Sequence, residues 1–376
     1  MNWLVNWKRH KDKFWALLTL FPSLVLVGIF VYGFIGQTFY VSLTDWGKGA
    51  ALAENPTIHV IGLENYGQLF TGFLNTRFRQ SLVNAAFYSV LLILGAIVVG
   101  LFLAILLDRE PAGEGVFRTI FLYPMSLSFI VTGTIWRWLL SPGGGVNALP
   151  TFIGLPRIKF RWLSSEKTVL SFNWQNLPFI TGALVAAIIL VVAYRYWVKG
   201  RKNHALIAAG AAGLLILWVI FGHKFTPKIL SYPETHGLNL ATLGIILAAI
   251  WQYSGYTMAL FLAGLRGVST DLREAAELDG ANQFQYYIRV AIPMVKPVTL
   301  SAVIILAHIS LKMFALIFAM TGPDNAETGH PAVLMYLKSF RANNFSVGAA
   351  IAVVLFLMAS LFIVPYLISA YRERRA

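Results

Sequence analysis

The most regular feature of the chain is a series of long apolar runs separated by shorter polar segments. A helix needs about 20 predominantly apolar residues to cross the hydrocarbon layer of a bilayer. The runs therefore predict an all-α integral membrane protein with about eight transmembrane helices, at 14–43, 80–107, 117–140, 176–197, 204–222, 238–265, 297–320 and 345–371. Pro22 and Pro365 lie within the first and last runs, where neighbouring helices can satisfy the carbonyl groups that a proline frees.

Basic residues are concentrated on one side of the predicted membrane. The formal net charge is +14, and Lys and Arg are denser in the segments that lie inside when the N-terminus is cytoplasmic. Because cytoplasmic loops carry an excess of Lys and Arg, this pattern predicts cytoplasmic N- and C-termini. The cluster Lys8-Arg9-His10-Lys11 before the first run is typical of a signal peptide. The run is too long for one, so we interpret it as a retained first span.

Composition narrows the classes of function. The chain contains no Cys, which excludes disulfides and thiolate chemistry. It offers no basic face on a soluble domain, so we expect no nucleic-acid partner. It also lacks the Gly-x-x-x-x-Gly-Lys-Ser/Thr loop that cradles phosphates, so the chain is not expected to hydrolyse ATP by itself.

The pattern divides the chain into three regions. Residues 1–79 form an N-terminal cytoplasmic segment, the first span and an outer loop, 80–371 a transmembrane domain, and 372–376 a cytoplasmic tail. Two segments stand out within the transmembrane domain. One is the pair of apolar runs at 176–222, and the other is a charged cytoplasmic loop at 266–296.

The charged loop predicts two short helices. Thr270 or Asp271 can cap the first helix, and Gly280 lies where a helix C-terminus favours a left-handed residue. The second helix is expected over about 283–290, ending before Pro293.

The first of these helices has the composition of a docking element. Ala275 and Ala276 have minimal side chains, so the helix can lie deep in a groove of a partner while Glu274 pairs with a basic residue. The alternative is an amphipathic helix resting on lipid. Helices of that kind usually combine Lys or Arg with large apolar residues, whereas this one is acidic and small-sided.

The spacing of this loop resembles that of a known family. Glu274-Ala-Ala is followed by three residues, by Gly280, by nine more residues, and by Val290-Ala-Ile-Pro293. This resembles the EAA loop of ATP-binding-cassette (ABC) importer permeases, which docks on a separate ATPase. The resemblance implies that the ATPase-coupling residues are Glu274, Ala275, Ala276, Asp279, Gly280 and Pro293.

Further motifs extend the resemblance over most of residues 14–371. They are Gly62-Leu-Glu-Asn-Tyr66, Phe117-Arg-Thr-Ile-Phe-Leu-Tyr-Pro124, Ile135-Trp-Arg-Trp-Leu139, Trp251-Gln-Tyr-Ser-Gly255, Phe261-Leu-Ala-Gly-Leu265, Thr321-Gly-Pro323 and Phe345-Ser-Val-Gly-Ala349. The chain is similar to carbohydrate permeases of binding-protein-dependent importers, of the maltose-permease type. Such permeases commonly have six core spans, so 176–222 is an inserted hairpin, either peripheral and facing lipid or part of the pathway.

The resemblance also implies an assembly. The expected partners are a second homologous permease, two ABC ATPase subunits, an extracytoplasmic sugar-binding protein and membrane lipid. ATP and Mg would be bound by the ATPases, with no cofactor or metal in this chain. The expected function is alternating-access import of a mono- or oligosaccharide through the cytoplasmic membrane of a prokaryote, without a covalent step.

The main alternative is a secondary, ion-coupled transporter of a small polar solute. Proton relays place Asp, Glu or His inside the membrane. All sixteen acidic residues map to predicted loops or span ends, which counts against proton coupling. His308, which lies inside a predicted span, is the one residue that keeps proton coupling open as an alternative. A membrane enzyme would need a nucleophile–base pair or metal ligands at depth, and His308 alone does not meet that requirement.

Two groups of polar residues are candidates for the substrate pathway. Lys312 is the only basic residue well inside a predicted span, and it shares a helical face with His308 and Ser301. We expect this face to line the pore or a permease–permease interface, the alternative being that Lys312 extends to the outer surface.

The second group lies in the span before the charged loop. Tyr253, Tyr256 and Thr257, with Trp251 nearby, have the composition of a sugar site, although aromatic residues at a membrane interface are an alternative. Further candidates in other spans are Asn84, Tyr88, Thr132 and Thr134. Many permease pairs carry the substrate site in one subunit only, so the chain can also lack one.

Overall fold

The computed structural model describes residues 15, 17–48, 57–165, 167–222, 225–226, 228–230 and 232–373. The basic N-terminal cluster at 8–11 lies outside the described residues, as does most of the predicted tail at 372–376. Six described helices are long and apolar enough to cross a membrane, and two bent helix pairs bring the number to as many as eight. The predicted all-α membrane fold is confirmed.

The helices are numbered here in chain order. The first eight are α1 (Leu17–Ser42), α2 (Glu64–Thr71), α3 (Thr76–Asp108), α4 (Glu114–Ser126), α5 (Phe129–Leu139), α6 (Leu177–Val198), α7 (Lys202–Phe221) and α8 (Leu240–Arg266). The other six are α9 (Thr270–Leu278), α10 (Gln283–Met294), α11 (Lys296–Leu311), α12 (Ala315–Thr321), α13 (Pro331–Tyr336) and α14 (Phe345–Glu373). Two strands, β1 (Thr168–Asn173) and β2 (Thr235–Asn239), form an antiparallel sheet.

The chain separates into two compact units. The first combines Met1–Leu69 with Pro331–Ala376. In it α1 packs on α14, with the rings of Phe39 and Phe356 in edge contact at 6.0 Å. Asn65 joins the loop after α1 to α2, because its side-chain amide donates to the carbonyl oxygens of Ser42 and Thr44, both at 2.8 Å.

The second unit, Phe70–His330, is built around α3 and α8, which pack along one another. Small residues let the two helices approach closely. A Cβ atom at Gly100 would overlap the hydroxyl of Thr257, and one at Gly95 would overlap Ile250. The Thr257 hydroxyl also donates to the Ala96 carbonyl oxygen at 2.6 Å, so it ties α8 to α3.

The predicted span at 117–140 is a bent pair of helices instead of a straight one. Helices α4 and α5 meet at 101°. The bend follows Pro124, and Ser128 has extended backbone angles and caps α5 by accepting from the amide of Val131 at 3.3 Å. A proline followed by a residue that can cap a new helix explains the break.

The predicted span at 297–320 is also interrupted, which corrects the expected position of Lys312. Helix α11 ends at Leu311, and α12 begins at Ala315. The amides of Lys312 and Met313 close the last turn by donating to Ile309 and Ser310, at 3.1 and 3.3 Å. Lys312 is therefore an exposed residue at a helix end and does not lie within a continuous helix.

The inserted hairpin consists of α6 and α7, which pack mainly against each other. Gly182 lies against the ring of Trp218, which stacks on Phe179 at 5.3 Å. Strands β1 and β2 flank the hairpin in sequence and pair Asn173 with Thr235, so the chain leaves and returns at neighbouring positions. The role of the hairpin stays a prediction.

Candidate functional site

Helix α9 contains three of the candidate coupling residues, Glu274, Ala275 and Ala276, and it ends as its sequence predicts. Gly280 has a φ of +79°, in the left-handed region. Its amide donates to Glu277, and the amide of Ala281 donates to the carbonyl oxygen of Ala276 at 2.9 Å. This pair of bonds is a Schellman motif, which satisfies carbonyl groups at the helix end.

The beginning of α9 differs from the prediction. The helix begins at Thr270, so Ser269 occupies the capping position, and no side-chain capping bond forms there. Thr270 and Asp271 are the first helical residues, and neither is the cap. Asp271 still lies in the first turn, where a carboxylate interacts favourably with the helix dipole.

One face of α9 is open to solvent. Glu274, Ala275 and Asp279 are exposed, whereas Ala276 packs against the buried side chains beneath the loop. Leu278 is 89% exposed on the same face. Glu274 forms no ion pair with any described residue.

Helix α9 is anchored to α3 through Arg273, a contact that the sequence did not predict. The Arg273 guanidinium donates to the buried carboxylate of Asp108, the last residue of α3, at 2.6 Å. The Tyr287 hydroxyl donates to the same oxygen at 2.7 Å. Arg273 also lies over the ring of Tyr286, 5.0 Å from its centroid, and its hydrogen bond with that tyrosine raises its pKa.

The second helix of the loop extends further than predicted. Asn282 and Gln285 form a capping box at its start, with both bonds at 2.9 Å. The helix continues past Pro293 to Met294. A π-helical segment over Tyr287–Ala291 precedes the proline, and the amide of Ile292 donates to the carbonyl oxygen of Tyr287, five residues earlier.

The loop is packed firmly onto the membrane core. Tyr286, Tyr287 and Ala291 of α10 are buried together with Phe261 and Leu265 of α8 and with residues of α3. Burial of several large apolar side chains makes this contact rigid. A displacement of α9 and α10 is therefore expected to move α3 and α8.

Three of the candidate pathway residues line one cavity. Tyr253, His308 and Lys312 border a space of about 400 Å³ together with Phe129 and the segment 313–316. This cavity forms where the break between α11 and α12 opens beside α5 and α8. It combines aromatic and apolar walls with a few polar groups, the composition usual in small-molecule sites.

The other candidates of the same span do not line this cavity. Thr257 is buried against α3 by the hydrogen bond to Ala96. Trp251 is 36% exposed and contacts Trp136 at 5.9 Å between ring centroids, and Tyr256 is half-buried.

The candidates on α3 and α5 are mostly buried. The Asn84 amide donates to the carbonyl oxygens of Glu327 and Gly329, at 3.0 and 2.8 Å, so it fixes the loop after α12. The ring of Tyr88 packs against that of His330. Thr132 is fully buried, and the exposed Thr134 donates to a carbonyl oxygen of its own helix. The half-buried Ser301 also bonds within its own helix, so it does not share the cavity with His308.

A buried ion pair at the start of α3 was not predicted from the sequence. The Arg79 guanidinium is fully buried and donates to Glu234, with Nε 2.9 Å from Oε1 and Nη2 2.5 Å from Oε2. His236 and Tyr232 complete the cluster, the tyrosine hydroxyl accepting from Arg79 at 2.6 Å. Arg79 is the fourth residue of α3 and directly precedes the predicted span at 80–107.

The electrostatics of this cluster favour the ionised carboxylate. Burial raises the pKa of Glu234, but hydrogen bonds from Arg79 and His236 outweigh burial and hold the pKa below its ordinary value. No group of three His, Asp or Glu within the described part of the chain is placed to hold a metal ion.

Comparison with known proteins identifies the family. The family model described as "Binding-protein-dependent transport system inner membrane component" matches residues 205–376. A probable ABC transporter permease protein of Pyrococcus horikoshii is 34% identical over 97% of this chain and 98% of that protein. The chain belongs to this family of permeases.

Two other matches extend the comparison. The xylose/arabinose import permease protein XacH of Haloferax volcanii is 31% identical over 93% of this chain and 86% of its own length. A bacterial alginate ABC transporter, solved in complex with an alginate pentasaccharide-bound periplasmic protein, superimposes with a TM-score of 0.62 at 17% identity. That structural match covers 95% of this chain and 94% of the other, and it supports the fold.

Family membership confirms the resemblance drawn from the sequence motifs. The chain is a multi-pass, non-enzymatic transport subunit, and ATP hydrolysis belongs to a separate partner. The comparisons give no support to the ion-coupled alternative. The cytoplasmic location of the termini and the roles of the candidate site residues stay predictions.

Proposed function

We propose that this permease imports a mono- or oligosaccharide by alternating access, together with a second permease, two ATPases and an extracytoplasmic binding protein. The named substrates of the relative XacH favour a sugar, and the complex of the alginate transporter with a periplasmic protein favours a binding-protein partner. The aromatic and polar cavity beside Tyr253 is the proposed point of contact with the sugar.

The observation that carries the coupling part of the proposal is the form of α9. It exposes Glu274, Ala275 and Leu278 on one face, while Arg273 ties it to α3. A helix that is open on one side and anchored on the other suits the transfer of force from a docked partner. The expected partner is an ATPase groove with a basic residue opposite Glu274, because an exposed carboxylate without an ion pair is available for one.

Charge reversal on α9 tests this coupling. Glu274→Lys should leave membrane insertion and cavity structure intact, because the side chain is exposed. Stimulation of the ATPase by the loaded binding protein should fall by about tenfold, since a repulsive contact replaces an attractive one at a docking interface. The measurement is ATP hydrolysis by the reconstituted complex with and without the binding protein.

Glu110→Lys is the matched control. It makes the same charge change at an exposed residue on the same predicted side of the membrane, outside α9. It should retain normal stimulation. Normal stimulation in Glu274→Lys as well would contradict docking through α9.

The substrate class is tested separately. Copurification of the permease with its partners should recover the complex, and a ligand screen of the copurified binding protein should return a sugar. A binding protein that recognises only amino acids or peptides would refute the sugar assignment and leave the coupling experiment unaffected.

A further inference from the structure

The turn between α6 and α7 carries an unusual concentration of positive charge. Arg195, Lys199, Arg201 and Lys202, here called the basic tip, are all exposed. No Asp or Glu occurs in the sequence between 167 and 233. None of the four cations takes part in an ion pair with a described residue.

The local structure holds these charges close together. Gly200 has a φ of +74°, which ends α6 sharply. The amide of Arg201 donates back to the Tyr196 carbonyl oxygen at 3.0 Å, and the amide of Lys202 donates to Gly200. The turn is therefore short, and α7 begins immediately at Lys202. Four like charges in so small a space repel one another, so an anionic ligand would stabilise them.

Helix length places the basic tip at a membrane surface. At about 1.5 Å per residue, α6 and α7 are each about 30 Å long, close to the thickness of the hydrocarbon layer. The exposed side chains of Tyr194 and Trp197 lie beside the tip. Amphipathic aromatic residues concentrate at the level of the lipid headgroups.

We propose that the basic tip binds the headgroups of anionic phospholipids in the assembled bilayer. The choice of lipid over an acidic protein rests on the aromatic residues at the tip and on the apolar side chains that α6 and α7 expose along their length. Because the two helices pack mainly against each other, headgroup binding would also fix the depth of the hairpin. The proposal is independent of the sugar and of the ATPase.

The absence of Cys allows a site-specific test. Asn203→Cys, adjacent to the tip and exposed, is labelled with a fluorophore in the full chain and reconstituted into vesicles. Quenching is compared for phosphatidylglycerol and phosphatidylcholine that carry the same nitroxide on the acyl chain. At equal mole fraction we expect at least roughly threefold stronger quenching by the anionic lipid, since each basic side chain near the surface contributes to the attraction.

Two comparisons make the test specific. The triple variant Lys199→Gln, Arg201→Gln and Lys202→Gln should lose most of the preference, because only Arg195 of the tip remains charged. The triple variant Arg157→Gln, Lys159→Gln and Arg161→Gln, an equal loss of exposed charge elsewhere, should keep it. Salt at about 1 M should weaken the preference of the unmodified tip, because screening then acts within about 3 Å. The salt dependence tests the proposal on the unmodified tip, even if the triple variant does not fold.

Equal quenching by the two lipids would overturn the proposal, as would a preference that is undiminished in the Lys199 triple variant. In the assembled importer, a photocrosslinker at Asn203→Cys should capture lipid. Capture of an acidic partner protein at that position would also overturn the proposal.

Discussion

At the scale of single residues, the carboxylate of Asp108 connects the loop to the membrane core. It accepts from both Arg273 and Tyr287, so it joins α3 to α9 and to α10. Hydrogen bonds to a charged group contribute about 1.5–3 kcal/mol each. The Arg273 side chain is 40% exposed, so solvent screening reduces its share.

Removal of this charge is expected to weaken coupling. Asp108→Asn keeps a hydrogen-bonding group for Tyr287 but loses the ionic attraction for Arg273. Transport per ATP hydrolysed should fall severalfold, and the free energy of unfolding should fall by about 1–2 kcal/mol. Both can be measured on the purified complex by uptake into vesicles and by thermal unfolding.

Asp271→Asn is the control, because it makes the same Asp-to-Asn change at an exposed loop residue that forms no ion pair with a described residue. The double variant Asp108→Asn with Arg273→Gln should cost less than the sum of the single changes. Strict additivity would show that the two residues act independently.

The buried pair of Arg79 and Glu234 predicts a dependence of stability on pH. The folded state lowers the pKa of Glu234 from its ordinary value of 4.5. Its contribution to stability is therefore complete above about pH 4.5 and is lost as the pH falls through the folded-state pKa. Thermal unfolding of the detergent-purified chain between about pH 3 and pH 7 measures this loss.

Glu234→Gln should flatten that part of the pH profile and lower the stability at neutral pH by about 3–5 kcal/mol, because it leaves Arg79 buried without its counter-charge. The exposed Glu64→Gln should change neither property. If Glu234→Gln preserved both the neutral stability and the acid dependence, the cluster would be unimportant for folding.

At the scale of elements, the break between α11 and α12 determines where the cavity forms. The interruption at 312–314 lies beside the cavity, which Lys312 lines together with Tyr253 and His308. We predict that Lys312→Ala lowers the rate of uptake by about tenfold without preventing assembly. An isolated cation beside a polar substrate contributes about 1.5–3 kcal/mol through charged hydrogen bonds.

Lys312→Arg should restore most of the uptake, and Lys167→Ala, at an exposed site outside the cavity, should have no effect. Uptake into vesicles and size-exclusion analysis of the complex separate transport from assembly. Unchanged transport kinetics in Lys312→Ala would show that Lys312 does not contact the substrate.

The elements also show which features a single sequence can predict. Gly280 and the long apolar runs depend on local chemistry, so the end of α9 and the helical membrane fold were predictable. No Gly or Pro marks the break at Lys312, so the local sequence carries no signal for it. Pro293 suggested a helix end, but the helix follows a π-helical segment and continues to Met294.

Side-chain pairs that are far apart in the sequence could not be predicted from local sequence patterns. Arg79 and Glu234 are separated by two spans and the inserted hairpin, and each alone resembles an ordinary residue at a span end. The same is true of Asp108 and Arg273. The sequence predicted an acidic coupling helix but could not predict what anchors it.

At the scale of the whole molecule, the two ends of the inserted hairpin are joined by the pairing of β1 with β2. The side-chain amide of Gln175 donates to the carbonyl oxygens of Leu230 and Tyr232, at 3.3 and 3.1 Å, so the two ends of the insertion lie side by side. Trp174 and Leu230 are buried together with Val83 of α3. The buried residues of this attachment to the core therefore lie outside 176–222, and Leu177 of α6 packs against them.

Replacement of 176–222 by a short Gly-Ser linker should consequently leave the core intact. A linker of a few residues suffices because the strand pairing of Asn173 with Thr235 already brings the ends together. We expect the partners to copurify with the shortened chain and transport to stay within about threefold of normal. Copurification and uptake into vesicles are the measurements.

Gly182→Leu provides the comparison, since a larger side chain would press on Trp218 and open the hairpin while keeping every apolar segment in place. If the hairpin is peripheral, this variant and the deletion should both assemble, because neither alters the buried cluster of Trp174, Leu230 and Val83. Loss of the complex in the deletion alone would mean that α6 and α7 contact a partner subunit, and loss in both would mean that their packing supports the pathway itself.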